Sequence, residues 1–230
     1  QELARAHGAK YVWLPPLGIY DAIRKSIQYA GEAEYVWWLN ASDRLIGRGT
    51  IEALEAGISE SQSSGNTPMW LIGGLVRQKD GRVGAYPVTG TGVEFLQLME
   101  QGLLSLPHPS TIFHKESLVG VNPYGGDFLI AEDFATALRF GGEFGPPELL
   151  PFPLAVHSLN GFSFKQPIRN FLEKSRARLR YVRNRNLFSE ILTLAHTAPR
   201  GVIRRLSGED VGDDAQIKEW AREVPSLIHF

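Results

Sequence analysis

The sequence contains no cysteine among its 230 residues. That excludes a disulfide framework, a thiolate metal site and a cysteine nucleophile. It also fits a reducing compartment. Long apolar runs are missing too: the longest, Tyr35–Leu39, is far short of the ~20 residues needed to cross a bilayer. Charge of either sign is in little excess, with a formal net charge of −1. A chain that is basic throughout and coats nucleic acid is therefore excluded. What is present is 43% hydrophobic residues, enough for one compact domain with a full core, or a domain with a helical extension.

The near-zero charge is a cancellation. Between Lys165 and Arg205 there are eleven Lys/Arg against two acids, Glu173 and Glu190, a net +9. A mildly acidic body thus carries a basic segment, which an acidic stretch from Glu209 to Glu223 follows. Within residues 165–185, Ile168, Phe171, Leu172, Leu179 and Val182 form an apolar stripe at approximate helical spacing. Such a helix can lie on anionic lipid head groups, at ~1 kcal/mol per basic residue near the surface. It can equally pack its stripe on the acidic body and leave its arginines in water. No nucleic-acid recognition motif accompanies the charge.

The first 160 residues alternate helix and strand patterns. Residues 1–7 predict the end of a helix stopped at Gly8, and Lys10–Leu14 a short strand. Asp21 is a candidate cap for a helix over 22–30. Glu34–Leu39 predicts a strand buried on both faces, and Thr50 the start of a helix to about Ala56. Residues 59–67 predict a loop. Met69–Arg77 and Arg82–Val88 predict a hairpin around Lys79-Asp80-Gly81. Val93–Leu104 and Ile130–Phe140 predict helices, the second ending at Gly141-Gly142. Ser110–His114 and Pro153–His157 predict strands, and the pattern is helical from Arg169 onward. This order implies an α/β sheet with parallel members.

In such a sheet the ligand site lies beyond the carboxyl ends of the strands. The residues there are polar and acidic: Asn40-Ala41-Ser42-Asp43, then Asp127, Glu132 and Asp133, with His108 before one strand and Asp21 after another. An acid at a strand end can hold Mg²⁺ or Mn²⁺ on a diphosphate, and a facing carboxylate can act as general base. The same residues also read as helix caps, turn residues and a helix start favoured by the macrodipole.

Their order resembles family 2 inverting glycosyltransferases of GT-A fold, especially bacterial members that build surface polysaccharides. Leu17-Gly18-Ile19-Tyr20-Asp21-Ala22-Ile23-Arg24-Lys25 is similar to the family's G-I-Y-D-A segment. Trp38-Leu39-Asn40-Ala41-Ser42-Asp43 is similar to its strand ending in two acids, and His108-Pro109-Ser110-Thr111-Ile112-Phe113 to its H-x-[ST]-x-F strand. Gly126-Asp127-Phe128 through Ala131-Glu132-Asp133-Phe134 and Leu138-Arg139 is similar to its catalytic helix. The resemblance covers roughly residues 1–165.

The resemblance implies a GT-A-like, mostly parallel sheet flanked by helices over residues 1–164, with a helical extension over 165–230. It also implies that a first strand–helix–strand unit is missing ahead of residue 2. The implied activity is hexosyl transfer from a nucleotide-sugar to a saccharide or lipid-linked acceptor with inversion. Such a protein would be cytoplasmic, or peripheral at the inner face of the plasma membrane. Asp133 falls on the catalytic base and Asp43 on the ligand of Mn²⁺ or Mg²⁺. Asp21, Arg24, Asn40, Ser42 and His108 fall on the donor side, Asp127 and Glu132 on the acceptor side. Two departures stand out: Ser42 replaces the first acid of the metal pair, and Pro16 replaces an Asp ahead of Gly18. Ser42 also fits a non-catalytic nucleotide- or sugar-binding remnant of the fold, and the basic segment fits a peripheral membrane or nucleic-acid adaptor.

Overall fold

A computed structural model describes residues 2–86, 88, 90–159, 161, 165–195 and 220. The helices are α1 (Glu2–Ala6), α2 (Ile19–Ser26, continuing as a 3₁₀ turn Ile27–Tyr29), α3 (Thr50–Ser63), α4 (Gly92–Gln101), α5 (Lys115–Gly120), α6 (Glu132–Phe144) and α7 (Pro167–Tyr181). A further helical stretch runs from 187 to 195. The strands are β1 (Tyr35–Trp37), β2 (Arg44–Leu45), β3 (Trp70–Lys79), β4 (Arg82–Tyr86), β5 (Thr111–His114) and β6 (Glu148–Ser158).

They form one sheet in the order β1-β5-β3-β6-β2, with β4 hairpinned onto β3. The sheet is mixed, not mostly parallel. Only β3 and β6 pair in parallel, while β1–β5, β5–β3, β3–β4 and β6–β2 are antiparallel. The alternation of helices and strands in sequence sets the layers but not strand direction, since a long connection can return a strand either way. Lys10–Leu14 forms no strand: Tyr11 and Trp13 are exposed and unpaired with any described strand.

Other boundaries also move. Asp21 lies in the first turn of α2 and Gly18 occupies its cap position. α3 runs on through Ser63, taking up half of the expected loop. α6 passes through Gly141 and Gly142 and stops at Gly145 (φ 84°). Gly141 stays helical because it lies against Leu96 and Trp70, where a Cβ would come within 2.7 Å of Leu96. The hairpin turn is as the sequence predicts, with Asp80 (φ 49°) and Gly81 (φ 77°) both left-handed, which matches the twist of the flanking strands.

The core is split by the sheet. On one face Trp70, Ile72, Phe113, Phe134, Phe140 and Met99 pack between β3, β5, α4 and α6. On the other, Leu71, Ile112, Leu150 and Leu154 pack with Leu54 of α3. Trp70, at 0% exposure, stacks on Phe113 and meets Phe140 edge-on. Burying aromatics of this size is worth ~1.5–3 kcal/mol each.

One irregularity positions the site. The β3–β6 register slips on either side of Gly74. A Cβ on Gly73 would lie 2.5 Å from Leu154, and one on Gly74 2.5 Å from the Trp220 ring. Bulges reverse the alternation of side chains. Trp70 and Ile72 therefore face α6, while Val76 packs with Trp220, Ile46 and Val156. Leu75 and Arg77 are thereby delivered to the cavity described next.

Candidate active site

A cavity of about 370 Å³ opens where β3 and β6 end. Ser42 and Asn40 line it from the turn after β1, and Tyr20 from α2. His108 enters from the loop before β5, Asp133 from α6 and His157 from the end of β6. The tertiary structure thus brings together five segments that are far apart in sequence, and four of the residues singled out there: Asn40, Ser42, His108 and Asp133.

Asp43 lies just behind the lining, its side chain fully buried. Its Oδ1 accepts a hydrogen bond from His157 Nδ1 at 2.7 Å. Its Oδ2 accepts from the Asn40 backbone N–H (3.2 Å) and side-chain amide (3.0 Å). Burial pushes the Asp43 carboxyl upward, but the bonds and charge of His157 and the two Asn40 donors outweigh it and hold it below the usual value.

Asp133 stands in the first turn of α6. Its Oδ1 accepts from the Phe134 backbone N–H at 2.7 Å and from the Tyr20 hydroxyl at 3.3 Å. Tyr20 also donates to the Ile130 carbonyl, so the phenol braces the turn that aims Asp133 into the cavity. Burial raises the Tyr20 pKa well above its ordinary value, and the Asp133 charge adds to this, so the phenol stays a proton donor. His108 is 7% exposed, stacks on Trp38 and bonds through Nε2 to the Tyr124 hydroxyl at 3.1 Å. Burial holds its pKa below the imidazole norm, against the opposing pull of Asp133 and Asp43.

Besides Asp43, four residues from the same reading fall outside the cavity lining: Asp21, Arg24, Asp127 and Glu132. Asp21 binds Arg24 (2.9 Å) and Lys25 (2.7 Å) on the outer face of α2. Asp127 is exposed and pairs with Arg180 at 2.9 Å. Glu132 is fully buried, accepts from the Phe128 N–H at 3.0 Å and pairs with Arg139 at 2.9 Å. It holds the loop before α6 in place.

The cavity also contains residues that the motif reading missed. His157 was within reach of it, because it ends a predicted strand just as Asn40 does. Arg77 likewise ends a predicted strand, Met69–Arg77, but which way its side chain points depends on the β3–β6 register slip around Gly74. Lys174 and Asn170 come from α7, which the charge count treats only as part of a basic segment. Glu173 ties α7 down by accepting from the N–H groups of Ile130 and Ala131 at 2.7 and 3.1 Å.

The donor set bears on metal binding. Asp43 and His157 put a carboxylate and an imidazole at contact distance beside the hydroxyl of Ser42. Among the described residues no group of three His, Cys, Asp or Glu side chains could hold a metal ion. Asp43 spends Oδ1 on His157 and Oδ2 on Asn40, so a cation drawing its other ligands from substrate phosphate and water would have to take the place of the His157 bond.

The sheet order, the flanking helices and the site at the strand ends make a mixed α/β fold that solved structures share. Among solved structures, the chain is similar to S. aureus TarS 1–349, with a TM-score of 0.55 at 14% identity over 81% of this chain and 53% of that one. It is similar to the same protein in complex with UDP, with a TM-score of 0.55 at 14% identity over 85% of this chain and 56% of that one. The chain therefore spans little more than half the length of these structures. No family model and no curated protein matches it. Among the described residues no helix is long and apolar enough to cross a membrane.

Proposed function

We propose that this chain is a glycosyltransferase that moves a hexose from a nucleoside-diphosphate sugar to an acceptor hydroxyl with inversion. The observation that carries the reading is the convergence of Asp133 and His157, the latter backed by Asp43, on one cavity of a glycosyltransferase-like fold. The UDP complex of the TarS neighbour supports a nucleotide donor.

In this reading Asp133 takes the proton of the attacking hydroxyl, which opposes the leaving diphosphate across the sugar. Tyr20 and the Phe134 N–H engage the same carboxylate oxygen and fix its rotamer. Neutral His108, held between Trp38 and Tyr124, presents an edge to the substrate. Asn40 locks Asp43, and the two carboxylates are kept apart in role: one faces the base position, the other the diphosphate. Asp43 and His157 would hold Mn²⁺ or Mg²⁺, which when bound offsets the charge of the departing diphosphate.

Wild-type protein is expected to bind UDP or GDP and to release it from the matching sugar nucleotide. Asp43→Ala is expected to weaken Mn²⁺ binding, read by water-proton relaxation, by about 10–100-fold. A wild type that binds no nucleoside diphosphate would overturn the reading and leave the alternative, a sugar-binding remnant of the fold.

The segment 165–185 is proposed to touch an anionic membrane surface. On α7, Ile168 is 76% and Leu172 59% exposed, beside Arg169, Arg176 and Arg180. Cosedimentation with vesicles of anionic lipid is expected at low salt and is lost as salt screens the arginines. Equal binding to neutral vesicles would refute the charge-driven contact.

A further inference from the structure

We infer that α7 supplies an acceptor subsite for an anionic saccharide, with Lys174 holding its phosphoryl or carboxylate group and Asn170 one of its hydroxyls. The inference deepens the glycosyl-transfer reading and rests on it for the word acceptor. Asn170 and Lys174 lie one helical turn apart, at i and i+4, and so share a face. Both line the cavity that holds Asp133.

Their chemistry is unfinished in a specific way. Lys174 Nζ donates to Ser105 Oγ at 2.8 Å and lies 5.4 Å over the Phe134 ring. An ammonium has three protons to place, and a ring face with one hydroxyl compensates little of its lost hydration. Burial lowers its pKa to about 8, with Arg178 and Arg77 adding to the fall and Asp133 opposing it. The Asn170 Oδ1 atom is buried with no hydrogen-bond partner. A buried acceptor oxygen without a donor costs ~1–3 kcal/mol. One ligand would satisfy both: an oxyanion for the ammonium and a hydroxyl for the amide oxygen.

The position assigns the ligand to the acceptor side. Lys174 comes from the helix that Glu173 pins to the Ile130–Ala131 turn, next to the base Asp133. The diphosphate end, Asp43 and His157, belongs to other elements. Arg77, which lines the same cavity with its guanidinium 4.1 Å over Tyr86, adds positive potential on this side. The charged groups facing Lys174 are thus Asp133 on α6, Arg77 on β3 and Arg178 on α7 itself.

The test is ligand-detected NMR with glucose 6-phosphate, glucuronate and neutral glucose as probes. Wild type at pH 7 should bind at least one anionic probe about tenfold more tightly than glucose, the worth of one charge-assisted hydrogen bond. Whichever anion is preferred distinguishes phosphoryl from carboxylate. Lys174→Met should erase the preference, Lys174→Arg should keep most of it, and Asn170→Ala should weaken all three probes alike. Raising wild type to pH 9 discharges Lys174 but not Arg77 or Arg178, so the preference should also fall there without any substitution. UDP affinity should stay within about twofold in Lys174→Met. The subsite is overturned if wild type shows no preference, if the preference survives Lys174→Met and pH 9, or if UDP binding falls in parallel, which would move Lys174 to the donor. Loss of nucleotide binding in wild type with the preference intact would remove the glycosyl-transfer reading and leave the subsite standing.

Discussion

Asp133→Asn should lower sugar transfer by ~10²–10⁴-fold, the usual worth of a positioned general base. The asparagine is nearly isosteric, and its Oδ1 can still accept from the Phe134 N–H and the Tyr20 hydroxyl that Asp133 engages. Folding should therefore be little changed, and the loss should appear in kcat. UDP or GDP binding should survive, because the proposed diphosphate end is Asn40, Asp43 and His157, which share no hydrogen bond with Asp133. A pre-steady-state comparison of donor binding and product formation separates the two effects. Transfer at the wild-type rate would remove Asp133 from the role of base.

Glu190→Ala should be the most destabilising change outside the hydrophobic core, at ~3–5 kcal/mol. Arg178 has a side chain only 3% exposed, and Glu190 meets it with two bonds of 3.0 and 2.6 Å. Arg185 joins the same carboxylate at 2.8 Å. Removing the acid leaves two guanidinium groups facing each other with the inner one unable to reach water. For a chain of this size the change should lower Tm by roughly 10 °C. Glu190→Gln, which keeps some of the bonds, should cost less.

The same carboxylate makes a pH prediction. Burial alone would raise the Glu190 pKa, but Arg178 and Arg185 outweigh it and hold it below the ordinary value. A group depressed in the folded state contributes stability above its unfolded pKa of ~4.3 and loses it as pH falls through the folded value. The Tm gap between wild type and Glu190→Gln should thus be full at neutral pH and shrink in acid. A gap that stays constant into strong acid would show that the pair is not electrostatic in origin.

Asp133 shows how far linear order reaches. Asp133 was legible, because an acid in the first turn of a helix behind a Gly-Asp-Phe loop is a local pattern, and its helix forms where the periodicity predicts. Asp43 follows the aromatic strand as the sequence places it, but the structure sets it behind the cavity lining against His157. Glu132 and Asp127 shared that local pattern. The structure gives them to Arg139 and Arg180 instead, because helix rotation decides which of two adjacent acids faces the cavity. Asp21 and Arg24 likewise satisfy each other on the outer face of α2.

By itself the sequence determined the kind of chemistry available: no thiols, carboxylates at strand ends, and a basic helix offset by an acidic body. It determined most elements too, since periodicity and turn residues act over a few neighbours. Only the tertiary structure decided strand direction, because a connection's length does not say which way its strand returns. Only it joined His157 to Asp43 across 114 positions, and only the β3–β6 register slip around Gly74 turned Arg77 toward the cavity. Lys174 and Asn170 were part of a surface helix in the sequence. Docking α7 on α6 made them part of the site, because burial is a property of what packs against a residue and not of the residue.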